Sequence, residues 1–252
     1  MEQKISPIKA KPLRQAGQSL QEQINKIIDD DLMEYAYFTM AFFGLMVYEW
    51  ARFFKDSPPH PIISTVIFLT ALVITLYKFI KNKRILKALK QGRDGEKVVG
   101  EYLEKLREDG CIVFHDIVGD KFNLDHVVLS TKGIFVIETK TYSKPKGTDP
   151  KIHYDGTHLN IDSIGNKDDV LIQVEAESNW LKEILKESTG KDFNIKPVVL
   201  FPGWFIESEN KFKTWVLNPK AFPAFIQNQK EILNDTDVQL TAYHLSRYIR
   251  TL

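Results

Sequence analysis

Two apolar stretches constrain this chain more than any other feature in it. EYAYFTMAFFGLMVYEW runs from Glu34 to Trp50 and continues to Phe54; IISTVIFLTALVITLYKFI runs from Ile62 to Ile80. Each approaches the ~20 residues that a helix needs to cross the hydrocarbon core of a bilayer. The link Asp56–Pro61 holds Pro58, Pro59 and Pro61, which break a helix, so the two stretches read as a membrane hairpin. Glu34, Glu49 and Arg52 fall near the ends of the first stretch, where polar heads reach the interface. Tyr35, Tyr37, Tyr48 and Trp50 resemble an aromatic belt. A pair of long buried helices in a soluble core is the other reading, but the rest of the chain offers little to cover them. A cleavable signal peptide is not expected, because the first stretch begins only at residue 34 and lacks a cleavage motif.

Orientation follows from the flanking charges. Lys78, Lys81, Lys83, Arg84, Lys87 and Lys90 crowd the end of the second stretch; Lys4, Lys9, Lys11, Arg14 and Lys26 precede the first. The link holds only Lys55, with Arg52 at its edge. The positive-inside rule then places both termini in the cytoplasm of a cell-membrane protein, and the basic run can also meet anionic lipid. Leu20, Ile24, Ile27, Ile28 and Leu32 repeat at helical spacing, which predicts an amphipathic helix lying on the membrane or on a partner. The expected organisation is a cytoplasmic segment over 1–33, a hairpin over 34–81, a basic linker over 82–91 and a soluble domain over 92–252.

Charge limits what that domain can be. Residues 1–91 carry 13 Lys and Arg against 8 Asp and Glu, whereas 92–252 carry 21 against 25. The soluble part is therefore no basic nucleic-acid sponge, and any contact with a phosphate backbone must be local or metal-assisted. Cys111 stands alone, so no disulfide forms within the chain, which fits a reducing compartment. Its place at the start of an apolar strand marks it as core.

The domain reads as a helix over 92–108, strands over 111–118, 123–129 and 134–139, and a small hairpin over 151–161 turning at Asp155-Gly156. A helix capped by Asp168 or Asp169 follows to about Lys186. Then come strands at 197–201 and 214–217 and a final helix over 236–251. This order predicts an α/β sandwich with a mixed sheet.

Within it, NLDHVVLSTKGIFVIETK (Asn123–Lys140) places acids where packed strands do not want them. A two-residue turn at Thr131-Lys132 pairs positions that sum to 263, setting Asp125 opposite Glu138 with Cβ atoms roughly 5 Å apart. Lys140, two along, points the same way. Two adjacent carboxylates repel, and a divalent cation removes the conflict. Hard oxygen ligands suit magnesium or manganese, and a metal-bound water beside a lysine makes a hydrolytic site. A surface ion pair of Lys140 with Glu138 or Asp125 is the bland alternative.

The wider pattern is Gly92-x-x-Gly95-Glu96-x-x-Val99, Leu103-x-x-Leu106, His115-Asp116, Leu124-Asp125-His126-Val127-Val128, then Gly133-Ile134-Phe135-Val136-Ile137-Glu138-Thr139-Lys140. It resembles the nuclease-related domain, NERD, of the PD-(D/E)xK restriction-endonuclease-like superfamily. The resemblance implies a restriction-endonuclease-like α/β/α sandwich, which the two apolar stretches read above as transmembrane helices would precede. It implies metal-binding acids at Asp125 and Glu138, a catalytic lysine at Lys140, a first-helix acid at Glu96 contacting metal or water, and a supporting glutamine at Gln173. The Asn-Pro often found before that glutamine is absent here. His126 is expected to pack, and His115 and Asp116 to be structural. The implied protein is a membrane-anchored nuclease dependent on Mg2+ or Mn2+. Its partners would be nucleic acid, DNA ahead of RNA, and membrane lipid, with a homodimer left open. The alternative is a membrane-tethered nucleic-acid-binding or signalling module that keeps the fold and hardly cleaves.

Overall fold

The structure, a computed structural model, describes residues 11–55, 60–119, 122–208 and 212–251. Most of the expected link Asp56–Pro61 falls on residues 56–59, outside the described residues, as do Lys4 and Lys9. Two compact units form: Ser19–Gln91 makes one, and Met1–Gln18 with Gly92–Leu252 makes the other.

The first unit is helical. α1 (Gln18–Lys26) passes through a π-helical stretch (Ile27–Met33) into α2 (Glu34–Phe53). α3 (Pro61–Glu104) follows. The linker expected over 82–91 is part of this helix, because Lys, Arg, Leu, Ala and Gln are good helix formers and neither Gly nor Pro interrupts them. α2 and the start of α3 pair antiparallel. Thr39 and Thr75 share a hydroxyl hydrogen bond of 2.7 Å, and the Trp50 indole donates to Thr65 at 3.0 Å. Phe43 and Phe68 meet at 5.4 Å between ring centres. Arg52 pairs with Glu49 at 3.1 Å, so the two charges that weaken the first stretch offset one another. Met40, Ile62, Val73 and Ile80 point outward and stay exposed. By length and composition α3 alone among the described helices is apolar enough to cross a membrane, and α2 falls short.

The second unit is built on a five-stranded mixed sheet. Its strands are β1 (Ile112–Val118), β2 (Asn123–Ser130), β3 (Gly133–Thr139), β7 (Ile195–Leu200) and β9 (Trp215–Leu217), adjacent in that order. The first three run antiparallel, and β3, β7 and β9 are parallel. A smaller sheet holds β4 (Lys151–Tyr154), β5 (Leu159–Ile161), β6 (Gly165–Asn166) and β8 (Phe205–Ser208). Strands β6 and β8 escape the sequence pattern because two and four residues are too few to show alternation.

Strand alternation sorts the core into two layers. Val127, Leu129, Ile134 and Val136 pack under α4 (Asp168–Thr189) and α6 (Asp235–Thr251), through Val174, Leu181, Val238 and Leu245. Val128, Phe135 and Ile137 face the other way, onto Val99 and Leu103 of α3 and onto α5 (Phe222–Gln227). The result is a helix–sheet–helix sandwich. α4 is not capped by its own acids as expected: Lys167 is the N-cap and makes no side-chain cap. The Asp168 carboxylate instead accepts from the Leu159 backbone at 2.8 Å and from Asn166 at 2.9 Å, tying the small sheet to the helix start.

Gly95 sets the approach of α3 to the chain beyond β3. A Cβ built there would lie 1.7 Å from Thr141 Oγ1 and 2.9 Å from Thr141 Cβ. Gly95→Ala is expected to lower stability by about 1–3 kcal/mol through overpacking, despite the better helix propensity of alanine. Thr141→Ala in the same chain should recover much of that loss. Thermal unfolding of the four chains reads the cycle, and an unchanged midpoint for Gly95→Ala would show that this contact does not limit the packing.

Candidate active site

The β2–β3 turn has two residues, Thr131 and Lys132, and Ser130 pairs with Gly133 and His126 with Ile137. That register brings Asp125 beside the end of β3, where its Oδ2 accepts the Thr139 backbone N–H at 2.7 Å. Glu138 and Lys140 share this face, which is the α4 side of the sheet. Lys140 Nζ lies 2.7 Å from Glu138 Oε1 and donates to Gln173 Oε1 at 2.9 Å. The pair is no surface bridge, because Glu138 is buried.

Two further acids arrive from the helices. Glu96 extends the stripe of α3 that buries Val99, Leu103 and Leu106. Glu177 occupies the stripe of α4 that buries Val170, Val174, Leu181 and Leu185. Packing each stripe against its face of the sheet carries these carboxylates to the same end, so both act on Asp125. Gln173 bridges by accepting from Lys140 and donating to Glu177 at 2.8 Å. Sequence reasoning named Asp125, Glu138, Lys140, Glu96 and Gln173, and the structure gathers all five. It missed Glu177, whose signal was available: an acid on the apolar side of a helix, four residues beyond Gln173.

Electrostatics shows the cost of this gathering. Burial pushes Glu96 up to about 8, with help from the charges of Asp116 and Glu138. Burial and Glu138 likewise raise Glu177 to about 8. Asp125 is held well above its ordinary range by burial, then by Glu138 and Glu96. Glu138 is raised by burial despite the opposing Lys140 ammonium. Burial pulls Lys140 down, but the charges of Glu138 and Asp125 outweigh it and the amine stays protonated. A protonated Glu177 donates to Glu138. Ionised, each would bury its Oε2 with no donor to meet it.

A hard cation suits such a set. Asp125 and Glu138 supply oxygen ligands, Glu96 and Glu177 stand beside them, and one lysine cannot balance four carboxylates. Among the described residues, however, no three His, Cys, Asp or Glu side chains are grouped closely enough to hold an ion as they stand. His115 and His126 lie elsewhere. His126 is wholly buried with its Nδ1 2.8 Å from that of His115, whose Nε2 meets Glu104 at 2.7 Å.

Comparison with known families adds to this geometry. Residues 91–202 match the nuclease-related domain, NERD. The NERD segment contains β1 to β3, α4, β7 and every acid of the cluster. An uncharacterized protein of Bacillus anthracis is 36% identical over 81 residues, which is 30% of this chain; the chain spans 37% of that relative's length. No solved structure matches the chain.

The raised acids predict a pH signature. Glu96 and Glu177 keep protons in the folded chain that the unfolded chain releases at 4.5, so their stabilisation is lost as pH rises toward about 8. His115 and His126, both lowered by burial, have the opposite sign and act only below 6.5. Without metal, the unfolding midpoint should therefore fall between pH 6.5 and about 8, and Glu96→Gln or Glu177→Gln should flatten the slope. A midpoint that rises across this window in chelator would contradict the assignment.

Proposed function

We propose that the second unit is a divalent-metal-dependent nuclease of the restriction-endonuclease-like type, hydrolysing phosphodiester bonds of nucleic acid, DNA ahead of RNA. The observation that carries this reading is the convergence of Asp125, Glu138, Glu96 and Glu177 with the single cation Lys140 at one sheet end of a nuclease-related domain. Asp125 and Glu138 would hold Mg2+ or Mn2+, with Glu96 in support. The ion, when bound, would supply a lowered water pKa and charge for the phosphoryl oxygens. Lys140, kept protonated by Glu138 and Asp125, cannot serve as the base in this state. It would instead meet the negative charge that builds on phosphorus oxygens. Gln173 fixes its direction. Glu177 takes or gives a proton at its carboxyl as the charge of the cluster changes.

The first unit would anchor this nuclease as a two-helix membrane hairpin. The exposed apolar faces of α2 and α3 support that reading, as does the one segment among the described residues that is apolar enough to span. Lys78 to Lys90 would hold the end of the second span at the cytoplasmic face, where this basic run can itself meet anionic lipid. A homodimer would bring two such sites to one duplex. The second reading, a tethered nucleic-acid-binding or signalling module that cleaves little, draws on the acidic balance of the domain and on acids that, among the described residues, are not grouped closely enough to hold an ion as they stand.

The full chain in detergent micelles should cut DNA with Mg2+ or Mn2+ and not with chelator. Glu138→Gln, Asp125→Asn and Lys140→Ala should each lose at least about 100-fold while the unfolding transition persists. Substrate retained but uncut by the wild type under every metal condition would favour the binding module. For the anchor, membranes washed with high salt and then alkaline carbonate should keep the chain, and its release would exclude a spanning hairpin.

A further inference from the structure

Residues 11–18 lead into the helices of the first unit, yet they belong to the nuclease unit. They reach its acid cluster. Arg14 Nε bonds Asp116 Oδ2 at 2.5 Å, with the two side chains 20% and 3% exposed. Gly17 backs onto the turn of α3 that leads to Glu96, beside the Arg93 carbonyl, and a backbone hydrogen bond from it favours the charged form of that carboxylate. Asp116, next to Glu96 electrostatically, has φ 50°, which turns β1 so that Phe114 and Ile117 enter the same core layer.

The seat of the segment is built from small residues. Gly17 has φ 72°, and a Cβ there would lie 3.0 Å from the Arg93 carbonyl oxygen. A Cβ on Gly100 would lie 2.8 Å from Ala16 Cβ. The Lys11 carbonyl accepts from Arg250 of α6 at 3.0 Å. Close backbone approach, a largely buried ion pair and a contact at each end fix where the Gly17 N–H points. A loop that merely covered the core would have no need to aim a donor at a carboxylate of the site.

We propose that residues 11–18 form a strap that positions Glu96 for the reaction, through the Gly17 N–H directly and through Arg14 on Asp116. The proposal rests on the nuclease reading. Gly17 and Arg14 are positioning groups that touch no substrate. The chain thus enters its nuclease unit first at the strap, leaves it for the helices of Ser19–Gln91, and returns at Gly92. A fragment that starts at Gly92 would carry every residue of the acid cluster and still lack this support.

The test uses the full chain in micelles with Mg2+ and a DNA substrate. Arg14→Ala should lower kcat roughly 10- to 100-fold and leave KM within about twofold, and Arg14→Lys should recover part of the loss. In a Glu96→Gln background, Arg14→Ala should cost nothing more, which a general structural role would not produce. Unchanged kcat in Arg14→Ala, or an equal loss in both backgrounds, overturns the strap while the wild type still cleaves. A wild type that cleaves neither DNA nor RNA overturns the nuclease reading and the strap together. If Arg14→Ala does not fold, hydrogen exchange of the Gly17 amide decides instead. Glu96→Ala should strip its protection and leave α4 unaffected, and undiminished protection overturns the proposal.

Discussion

Repulsion among buried carboxylates is the constraint around which the second unit is arranged. Asp125, Glu138, Glu96 and Glu177 lie close enough to raise one another, and one lysine stands among them. A core would shed such a group unless something repaid it, because a buried charge costs several kcal/mol even after relaxation. Protons supply part of the answer, because burial raises Glu96 and Glu177 to about 8, and the Lys140 ammonium, 2.7 Å from Glu138, supplies another part. The Lys140–Gln173–Glu177 chain completes the set by giving each polar group a defined neighbour.

The same packing that buries the apolar residues delivers the acids. Glu96 and Glu177 sit in helix stripes otherwise made of Val and Leu, so each helix that docks to close the core also brings one carboxylate to the sheet end. The two stripes lie on opposite faces of the sheet, and β2 and β3 contribute Asp125 and Glu138 between them. The faces that form the core therefore also place the site. Gly95 shows how tight the coupling is, since one methyl group on α3 would press into Thr141 beside Lys140.

The first unit follows another rule. Its helices satisfy their own backbone and meet each other through threonine hydroxyls, an indole and a tilted pair of phenylalanine rings, while large apolar side chains remain outside. An exposed apolar surface of this extent marks contact with another phase or molecule. The Glu49–Arg52 pair lets α2 keep two charges near its end at reduced cost.

Much of this was legible in the residues themselves. Period-two alternation and a turn of two residues were enough to place Asp125, Glu138 and Lys140 on one face, because side-chain direction in a strand is local geometry. The helical spacing of 98, 99, 102, 103 and 106 and of 170, 174, 181 and 185 marked the packing faces for the same reason, but Val98 proved exposed, because only Val99, Leu103 and Leu106 of the first set meet the sheet. Other features depended on residues far apart in sequence. Glu177 gained its place only when α4 docked on β3; the short strands β6 and β8 exist because partners pair with them. The run over 82–91 continues the helix of the second apolar stretch, through propensity that no breaker opposed. Arg14 and Gly17 reached Asp116 and Glu96 across some eighty to a hundred residues. Sequence determined which way each side chain faces along its own element, since that follows from backbone period. Tertiary structure alone decided which faces meet, because that depends on the burial of whole surfaces and on charges that feel one another only after the chain has closed.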